Sequence, residues 1–368
     1  MSDTATDFDA DALRSYLSSV LETTVTDTEV VSDGLNLVVA ISTADADRYV
    51  LRRPNKLRES GLFVDLRTEY ATLKRLRDTD VPVPEPVRFC DDESVPGGPF
   101  CLTTALDGEP FPRGEDLPRR YRDPDARRRI AQQSVDTLAR IHSLPTEPFE
   151  DVLERRPPRD QLDAATDRLD EAARVTGQEF PTLRAVGDWL AEHVPPSPTT
   201  SLTHGDFRTG NLLFTGTDDG RPDLTGVLDW ETAALGDPLA ELGYFLLDWR
   251  GADDPRPAPD AFADLEARYP DHDGMTWVRR MHEHGLSPFA ADAGSLGRRE
   301  LVARYEGATG ARFEHERFYV ANATFGLATV WADLDRNRVA TGAAPEREPL
   351  IEYLALVAER ITNGASPL

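Results

Sequence analysis

Cysteine is scarce in this chain of 368 residues, and long apolar runs are missing from it. With only two cysteines, Cys90 and Cys101, the chain cannot contain the disulfide framework that stabilises many small secreted domains. The two flank a Pro-Gly-Gly-Pro turn at 96–99 and could face each other across a hairpin, but two buried thiols are the favoured interpretation. No apolar run is long enough to cross a bilayer, and the acidic first residues lack the basic segment of a secretory signal. We therefore expect a cytoplasmic protein with no membrane association.

Lysine is also nearly missing: Lys56 and Lys74 stand against 39 arginines, 40 aspartates and 26 glutamates, which gives a net charge of −25. Such a charge repels nucleic-acid backbones and anionic membranes, so neither is expected as a partner. The acidic side chains also repel one another within the chain, unless salt near 1 M shortens the Debye length to about 3 Å. The composition therefore predicts a halophilic protein of a salt-rich cytoplasm. The alternative is an ordinary acidic protein from a GC-rich genome, which would also replace lysine by arginine.

One segment carries polar residues at the spacing that phosphoryl transfer uses. Asp206 lies five residues before Asn211, as in a kinase catalytic loop whose Asp accepts the nucleophile's proton and whose Asn binds magnesium. Asp229 ends a short apolar run. The turn formers between them, 215–223, predict a hairpin with its midpoint at Gly220, which would bring Asn211 and Asp229 together. Magnesium takes few protein oxygens in addition to phosphate oxygens, so this pair suffices as its ligands.

The stretch 204–247, with His-Gly-Asp at 204–206 and Leu-Asp-Trp-Glu at 228–231, resembles the aminoglycoside phosphotransferase/choline kinase superfamily. Residues 227–244 are most similar to the subgroup related to the kinase half of fused acyl-CoA dehydrogenases. The resemblance implies an α+β, two-lobed protein-kinase-like fold with a small antiparallel-sheet lobe containing one helix and a larger, mostly helical lobe. It also implies transfer of the γ-phosphoryl group of ATP or GTP, with Mg²⁺, to a hydroxyl of a small molecule, with Asp206 as the base.

The apolar periodicity along the chain is consistent with this division. A helix at 11–21, strands between 30 and 53, a helix at 65–77 and strands at 87–90 and 100–106 predict a small lobe over 1–107, which the resemblance implies binds the nucleotide. Residues 108–368 predict a helical lobe, to which the resemblance assigns the catalytic loop and the acceptor site. Its helices are expected at 126–141, 161–175, 183–194, 239–249, 261–284, 298–307, 313–336 and 348–361.

Arg52 departs from the superfamily pattern, which has a lysine that contacts the nucleotide's α- and β-phosphates at this position. A guanidinium can also bind phosphate, through two parallel hydrogen bonds, although it is larger. Glu69 is its expected partner, because it lies between Leu66 and Leu73 on the inward face of the predicted helix, where a charge requires a counter-charge. The alternative is a solvated glutamate at the edge of the helix.

The resemblance implies further site residues. Gly34 would belong to the loop over the phosphates, and the backbone groups of Thr104 and Leu106 would meet the adenine edge. His204 is expected to fix the catalytic turn through hydrogen bonds rather than to react. Asp237, followed by proline, fits a helix N-cap.

The acceptor and one rival function stay open. Acids such as Glu241 and Glu283 favour an amino sugar or an amino alcohol, whereas Arg279, Arg280 and Arg304 favour a hydroxyacyl thioester or a hydroxy acid. The rival is a catalytically impaired pseudokinase or scaffold that only binds nucleotide. The arginine in place of the expected lysine favours that rival, and the retained acids and amide of the catalytic segment oppose it.

The charge analysis predicts that the melting temperature rises as KCl is raised from about 0.1 M to about 2 M, because the Debye length falls from about 10 Å to about 3 Å by 1 M. Differential scanning fluorimetry measures this. Sucrose of equal osmolality, which does not screen charge, is the control. A melting temperature that stays constant or falls with KCl contradicts the prediction.

Overall fold

The computed structural model describes residues 10–34, 36–54, 63–95, 99–196, 199–249 and 254–368. Most of the predicted turn at 96–99 and position 35 of the predicted phosphate loop lie outside these ranges, as does Asp253, a further acid that favours an amino sugar or an amino alcohol. The chain divides into two compact units. The first unit comprises Met1–Gly108, Asp151–Leu153 and Thr225–Ala233, and the second comprises Glu109–Glu150, Glu154–Leu224 and Ala234–Leu368.

The first unit is built on a five-stranded antiparallel sheet, with strand order β1-β2-β3-β5-β4. Two helices accompany the sheet. The predicted α+β class with a small antiparallel sheet is confirmed. The elements are α1 (Ala10–Leu21), β1 (Val25–Asp33), β2 (Asn36–Thr43), β3 (Arg48–Pro54), α2 (Leu66–Leu76), β4 (Pro86–Cys90) and β5 (Phe100–Thr104).

Strand β2 lies inside this sheet and shows the alternation that a half-buried strand requires. Leu37, Val39 and Ile41 are buried and share a core with Leu13 and Leu17 of α1. The predicted first strand differs from the observed one. β1 begins earlier than predicted and pairs with β2 at the sheet edge, with a register shift near its beginning and another near its end. The valines that predicted this strand, at 30 and 31, are therefore exposed.

Helix α2 follows its prediction closely. The Asp65 side chain caps its first turn by accepting a hydrogen bond from the backbone N–H of Thr68, at 2.7 Å. The apolar stripe of Leu66, Leu73 and Leu76 is buried. This stripe fixes which face of α2 turns inward, and therefore where a polar residue between those leucines must point.

The two cysteines are free and buried, as predicted. In the antiparallel register of β4 and β5, Cys90 pairs with Phe100, and Phe89 pairs with Cys101. This one-residue offset places the two thiols on opposite faces of the sheet. Cys90 belongs to the core beneath α1, whereas the Cys101 Sγ contacts the carbonyl oxygen of Leu66 at 3.5 Å.

Helices dominate the second unit. A short sheet of order β6-β10-β7 and a hairpin of β8 and β9 accompany them. The strands are β6 (Arg155–Arg156), β7 (Ser201–Thr203), β8 (Leu212–Gly216), β9 (Pro222–Val227, which ends in the first unit) and β10 (Ala234–Gly236). The helices are α3 (Pro124–His142), α4 (Pro158–Thr176), α5 (Pro181–Glu192), α6 (Pro238–Phe245), α7 (Pro259–Arg268), α8 (Gly274–His284), α9 (Arg298–Thr309), α10 (Glu316–Ala340) and α11 (Glu348–Thr362).

Two predicted helices end earlier than expected. The helix predicted at 261–284 is divided into α7 and α8, because Pro270 has no N–H and disfavours a helical conformation of the residue before it. The helix predicted at 239–249 ends at Phe245 and continues as one 3₁₀ turn, Leu246–Asp248, which buries the Asp248 side chain. Within the described ranges, no helix has the length and apolarity needed to cross a membrane.

The predicted hairpin is present as β8 and β9, but its turn is centred one residue earlier than expected. Thr217 N–H donates to the Arg221 carbonyl at 2.9 Å, so the turn is centred on Asp219. Gly220 N–H donates to the Thr217 carbonyl at 2.8 Å, and Gly220 has a φ of 78°. Glycine is therefore the last residue of a four-residue turn, where its freedom to adopt positive φ is needed.

Close packing of α6 against α10 predicts opposite effects for two helical glycines. A Cβ at Gly243 would lie 2.8 Å from the Tyr319 carbonyl oxygen, whereas a Cβ at Gly307 of α9 would meet no atom within 4 Å. Gly243→Ala should therefore lower the free energy of unfolding by about 1–3 kcal/mol. Gly307→Ala should raise it by about 0.5–1 kcal/mol, because alanine favours the helix. Urea unfolding measures both, and effects of the same sign contradict the packing.

Candidate active site

The residues predicted for the site belong to both compact units, and each group is described within its own unit. The first unit contains Arg52, Glu69, Asp229, Gly34, Thr104 and Leu106. The second contains Asp206, Asn211, His204 and Asp237. The predicted pairing of Asn211 with Asp229 joins residues of different units and stays a prediction.

Arg52 lies at the centre of an ion-pair cluster in the first unit. Its Nη1 lies 2.6 Å from the Glu69 Oε1 and 3.2 Å from the Asp229 Oδ1. Its Nη2 donates to the Glu231 Oε2. The side chains of Arg52 and Glu69 are only 14% and 5% exposed, which excludes a solvated Glu69. The contact predicted between Arg52 and Glu69 is therefore present.

The electrostatic balance of this cluster keeps Arg52 charged. Burial by itself lowers the pKa of the guanidinium, but the carboxylates of Glu69, Asp229 and Glu231 outweigh burial and hold that pKa above its ordinary value. Glu69, Asp229 and Glu231 thus share the one guanidinium of Arg52.

Sequence reasoning missed Glu231. Glu231 lies two residues after Asp229, in the 3₁₀ turn Trp230–Thr232. Its carboxylate accepts hydrogen bonds from Arg52 and from the Asn36 Nδ2, the latter at 2.8 Å. The Asp-x-Glu spacing was visible in the sequence. Its partners were not, because Arg52 lies 179 residues away along the chain.

The backbone of Asp229 adopts the left-handed conformation, with φ 65° and ψ 54°. Aspartate tolerates this region better than most residues, but the conformation still carries a cost. The Asp229 side chain is 45% exposed, in contrast to its buried partner Arg52. Its carboxylate is therefore available to a ligand as well as to the guanidinium.

The other three predicted nucleotide contacts lie around the same sheet. Gly34 lies between β1 and β2, and its N–H donates to the Asn36 carbonyl at 3.2 Å. Thr104 ends β5, and its N–H donates to the Glu85 carbonyl at 2.9 Å. Leu106 follows that strand two residues later. Their roles toward a nucleotide stay predictions.

Asp206 is held on both carboxylate oxygens in the second unit. Its Oδ1 accepts a hydrogen bond from the Tyr244 hydroxyl at 2.5 Å. Its Oδ2 accepts from the Asn211 Nδ2 at 2.9 Å and from the Arg208 Nε at 3.2 Å. Asn211 Nδ2 also donates to the Asp206 backbone carbonyl at 2.8 Å. The structure thus brings the predicted base and the predicted amide ligand into direct contact.

Burial and charge act in opposite directions on Asp206. Burial raises the pKa of this carboxyl, but the nearby guanidinium groups of Arg208 and Arg113 and the hydrogen bond from Tyr244 outweigh burial and lower the pKa below its ordinary value. Asp206 is therefore ionised near neutral pH. Its side chain is 31% exposed, so the carboxylate is accessible as a hydrogen-bond acceptor.

Sequence reasoning also missed a group of residues behind Asp206. Arg113 Nε donates to the Asp248 Oδ1 at 2.6 Å, and Arg113 Nη1 donates to the Tyr244 hydroxyl at 3.1 Å. Arg208 lies two residues after Asp206, so the motif itself could have indicated it. Arg113 and Tyr244 gave no such signal, because they are 131 residues apart in the sequence.

Glu241 stabilises the turn before Asp206 through hydrogen bonds. This carboxylate accepts hydrogen bonds from the backbone N–H of His204, at 2.9 Å, and of Gly205. Its third donor is His142 Nε2, at 2.9 Å. The His204 Nδ1 accepts from the Asp206 N–H at 3.2 Å, which agrees with the structural role predicted for His204.

Asp237 caps α6 as predicted. Its Oδ1 accepts from the Leu239 N–H at 2.9 Å, and its Oδ2 accepts from the Tyr319 hydroxyl at 2.8 Å. Burial raises the pKa of Asp237 above its ordinary value despite these bonds. Burial also acts to raise the pKa of Glu241, but the hydrogen bonds and charge of His142 and the contacts with His204 lower it below its ordinary value.

These two buried carboxylates predict opposite pH dependences of stability. The lowered pKa of Glu241 contributes stability above the ordinary glutamate pKa, and this contribution is lost as the pH falls through the folded-state value. The raised pKa of Asp237 makes the folded state lose stability as the pH rises through that value. Urea unfolding at fixed KCl should show Glu241→Gln losing its disadvantage as the pH falls, and Asp237→Asn gaining on the wild type as the pH rises. Equal pH slopes for the two variants contradict these assignments.

The chain is similar to known proteins in sequence and in fold. A profile of the family described as "Phosphotransferase enzyme family" (APH) matches residues 27–278. Acyl-CoA dehydrogenase family member 11 of Gallus gallus is 33% identical over 202 residues, which cover 53% of this chain and 24% of that protein. The chain thus spans about a quarter of the length of the curated relatives it matches.

Solved structures show the same fold. A protein of Ralstonia eutropha JMP134 assigned as an aminoglycoside phosphotransferase has a TM-score of 0.71 at 23% identity, covering 98% of this chain and 99% of that one. A thermostable mutant of aminoglycoside phosphotransferase APH(4)-Ia, in a ternary complex with AMP-PNP and hygromycin B, has a TM-score of 0.57 at 15% identity, covering 96% and 100%. Because the family profile covers more than half of the chain, the protein belongs to the phosphotransferase enzyme family.

Proposed function

We propose that the protein transfers the γ-phosphoryl group of ATP, or of GTP in its place, to a hydroxyl group of a small molecule, with Mg²⁺ and with Asp206 as the proton acceptor. The observation that carries the proposal is the Asp206 carboxylate, which is ionised, partly exposed and fixed on both oxygens. Phosphoryl transfer depends more on positioning than on a strong base, so a lowered pKa is compatible with this role. The acceptor's O–H bond breaks as its oxygen bonds to phosphorus, its proton passes to Asp206, and the nucleoside diphosphate leaves.

The residues proposed to hold Mg²⁺ are Asn211 and Asp229, and their chemistry fits a hard cation. Asn211 donates its amide nitrogen to Asp206, which leaves its amide oxygen for a ligand. Asp229 is half-exposed, so its carboxylate is accessible to a ligand. When bound, Mg²⁺ would neutralise and orient the phosphate oxygens.

The nucleotide half of the proposal assigns the phosphates to Arg52, with Gly34 in the covering loop and Thr104 and Leu106 at the base. A guanidinium held by Glu69 is oriented in advance, which supports the assignment. Of the two predicted lobes, the small lobe (1–107) would bind the nucleotide, and the large lobe (108–368) would contain the catalytic loop and the acceptor site. The acidic composition supports a halophilic, cytoplasmic setting.

The acceptor is proposed to be an amino sugar, an amino alcohol or a hydroxyacyl compound. A groove of about 660 Å³ in the second unit has the size such molecules need, but its lining, which includes Trp277, Trp331 and Asp271, contains none of the residues bonded to Asp206. Two arginines that favoured an anionic acceptor are already paired. Within the second unit, Arg279 donates a hydrogen bond to Glu266, and Arg304 donates two hydrogen bonds to Asp136.

A second candidate function is a pseudokinase that binds nucleotide without turnover. The specific observation in its favour is that Arg52 already contacts three carboxylates, so a phosphate would have to compete with them. Turnover by the wild type separates the two functions.

The test uses thermal shift with ATP and MgCl₂ in molar KCl, followed by a coupled kinase assay across the three acceptor classes. Asp206→Asn should still bind nucleotide but lose about 100-fold or more in kcat, because the proton acceptor is gone. Asp229→Asn should lose the Mg²⁺-dependent part of the nucleotide shift. Asp219→Asn, in the exposed hairpin turn, is the matched control and should match the wild type. Full turnover in Asp206→Asn contradicts the assignment of Asp206 as the proton acceptor. Nucleotide binding without turnover in the wild type favours the pseudokinase.

A further inference from the structure

Tyr244 contacts the proposed base but has no role in the function proposed so far. Its hydroxyl lies 2.5 Å from the Asp206 Oδ1, the shortest of the distances to that carboxylate. Burial raises the pKa of Tyr244 above its ordinary value, with the charge of Asp206 acting in the same direction. The hydroxyl therefore stays protonated, and it acts toward the Asp206 carboxylate as a hydrogen-bond donor.

The direction of the hydrogen bonds around Tyr244 is fixed by Arg113. A guanidinium is a donor only, so the bond of 3.1 Å between Arg113 Nη1 and the Tyr244 oxygen must be accepted by Tyr244. The tyrosine's single proton is then left for Asp206. Asp248 holds Arg113 in place at 2.6 Å, and the guanidinium lies 5.0 Å from the centre of the tyrosine ring. The order of donors is therefore Arg113, Tyr244 and Asp206.

A count of lone pairs shows where an acceptor can approach Asp206. Each carboxylate oxygen accepts about two hydrogen bonds. Oδ2 already accepts two, from Asn211 and Arg208, whereas Oδ1 accepts one, from Tyr244. The remaining acceptor position of the carboxylate is therefore on Oδ1, beside the tyrosine hydroxyl.

We propose that Tyr244 is a positioning residue for phosphoryl transfer: it holds Asp206 in the rotamer whose Oδ1 receives the acceptor's hydroxyl proton. This inference rests on the proposed function of Asp206. Tyr244 itself keeps its proton throughout, and no bond to it is made or broken. Without its hydroxyl, Asp206 would be held only through Oδ2 and could rotate about its side-chain bonds.

The chain provides a matched control for the test. Tyr319 also donates its hydroxyl to a buried carboxylate, that of Asp237, at 2.8 Å, but Asp237 caps a helix and does not contact Asp206 through any hydrogen bond recorded among the described residues. Tyr244→Phe and Tyr319→Phe therefore each remove one tyrosine–carboxylate hydrogen bond of the same kind. Only the first removes it from the proposed base.

The experiment measures kcat, the KM for ATP and the ratio of phosphorylated acceptor to ADP formed, using the acceptor that the screen identifies. Tyr244→Phe should lower kcat by about 10- to 100-fold, the effect of losing one hydrogen bond to a charged group. It should leave the KM for ATP unchanged and lower the ratio of acceptor phosphorylated to ADP, because a mobile carboxylate also activates water. Tyr319→Phe should change the melting temperature but not the ratio.

The outcomes separate this inference from the proposed function. If Asp206→Asn loses turnover but Tyr244→Phe behaves like Tyr319→Phe, only the positioning role is overturned. If Asp206→Asn keeps turnover, the proposed function fails first. Should Tyr244→Phe not fold, replacement of Tyr244 by 4-fluorophenylalanine keeps a substituent on the ring but donates no hydrogen bond to Asp206, and it should lower the same ratio. A wild-type ratio in that folded variant overturns the inference.

Discussion

The guanidinium of Arg52 gathers three carboxylates that come from distant parts of the sequence, and the candidate nucleotide site depends on that attraction. Glu69 comes from α2, and Asp229 and Glu231 come from the segment after β9. Buried charges of this kind are costly unless each has a partner, so removing Arg52 would take this counter-charge from Glu69 and Glu231. The cluster thus fixes how the segment 225–233 joins the sheet of the first unit.

Arginine rather than lysine makes both buried clusters possible. Arg52 reaches Glu69, Asp229 and Glu231 with two nitrogens, and Arg113 binds Asp248 and Tyr244 with two others. A planar fork can donate in several fixed directions at once, which a single ammonium group on a flexible stem does less well. The near absence of lysine, noted first as a matter of composition, therefore has a counterpart in the interior of the fold.

Local patterns in the sequence predicted a large part of the fold and half of the candidate site. The Asp206–Asn211 spacing, the cap at Asp237 and the inward position of Glu69 each depend on a few neighbouring residues, and the structure contains all three contacts or positions. The residues that were missed act across long distances in sequence. Glu231 and Tyr244 acquire their roles only from partners that folding brings to them, and no period or motif encodes such pairs.

Some differences between the predicted and the observed elements involve signals that the local sequence does contain. The break between α7 and α8 follows from Pro270, which stands in the printed sequence, and was missed because the apolar periodicity continued on both sides of it. Strand β1 shows the reverse error. Its start was predicted from the valines at 30 and 31, whereas the strand begins at Val25 and both valines are exposed at the sheet edge.

The offset of the two cysteines in neighbouring strands has a practical consequence. Because Cys90 and Cys101 face opposite sides of the same sheet, they cannot form a disulfide with each other while β4 and β5 stay paired. Air oxidation during purification should therefore not trap a crosslinked form of the first unit. Both thiols are shielded from solvent, so their rate of reaction with a colorimetric thiol reagent reports how often that sheet opens.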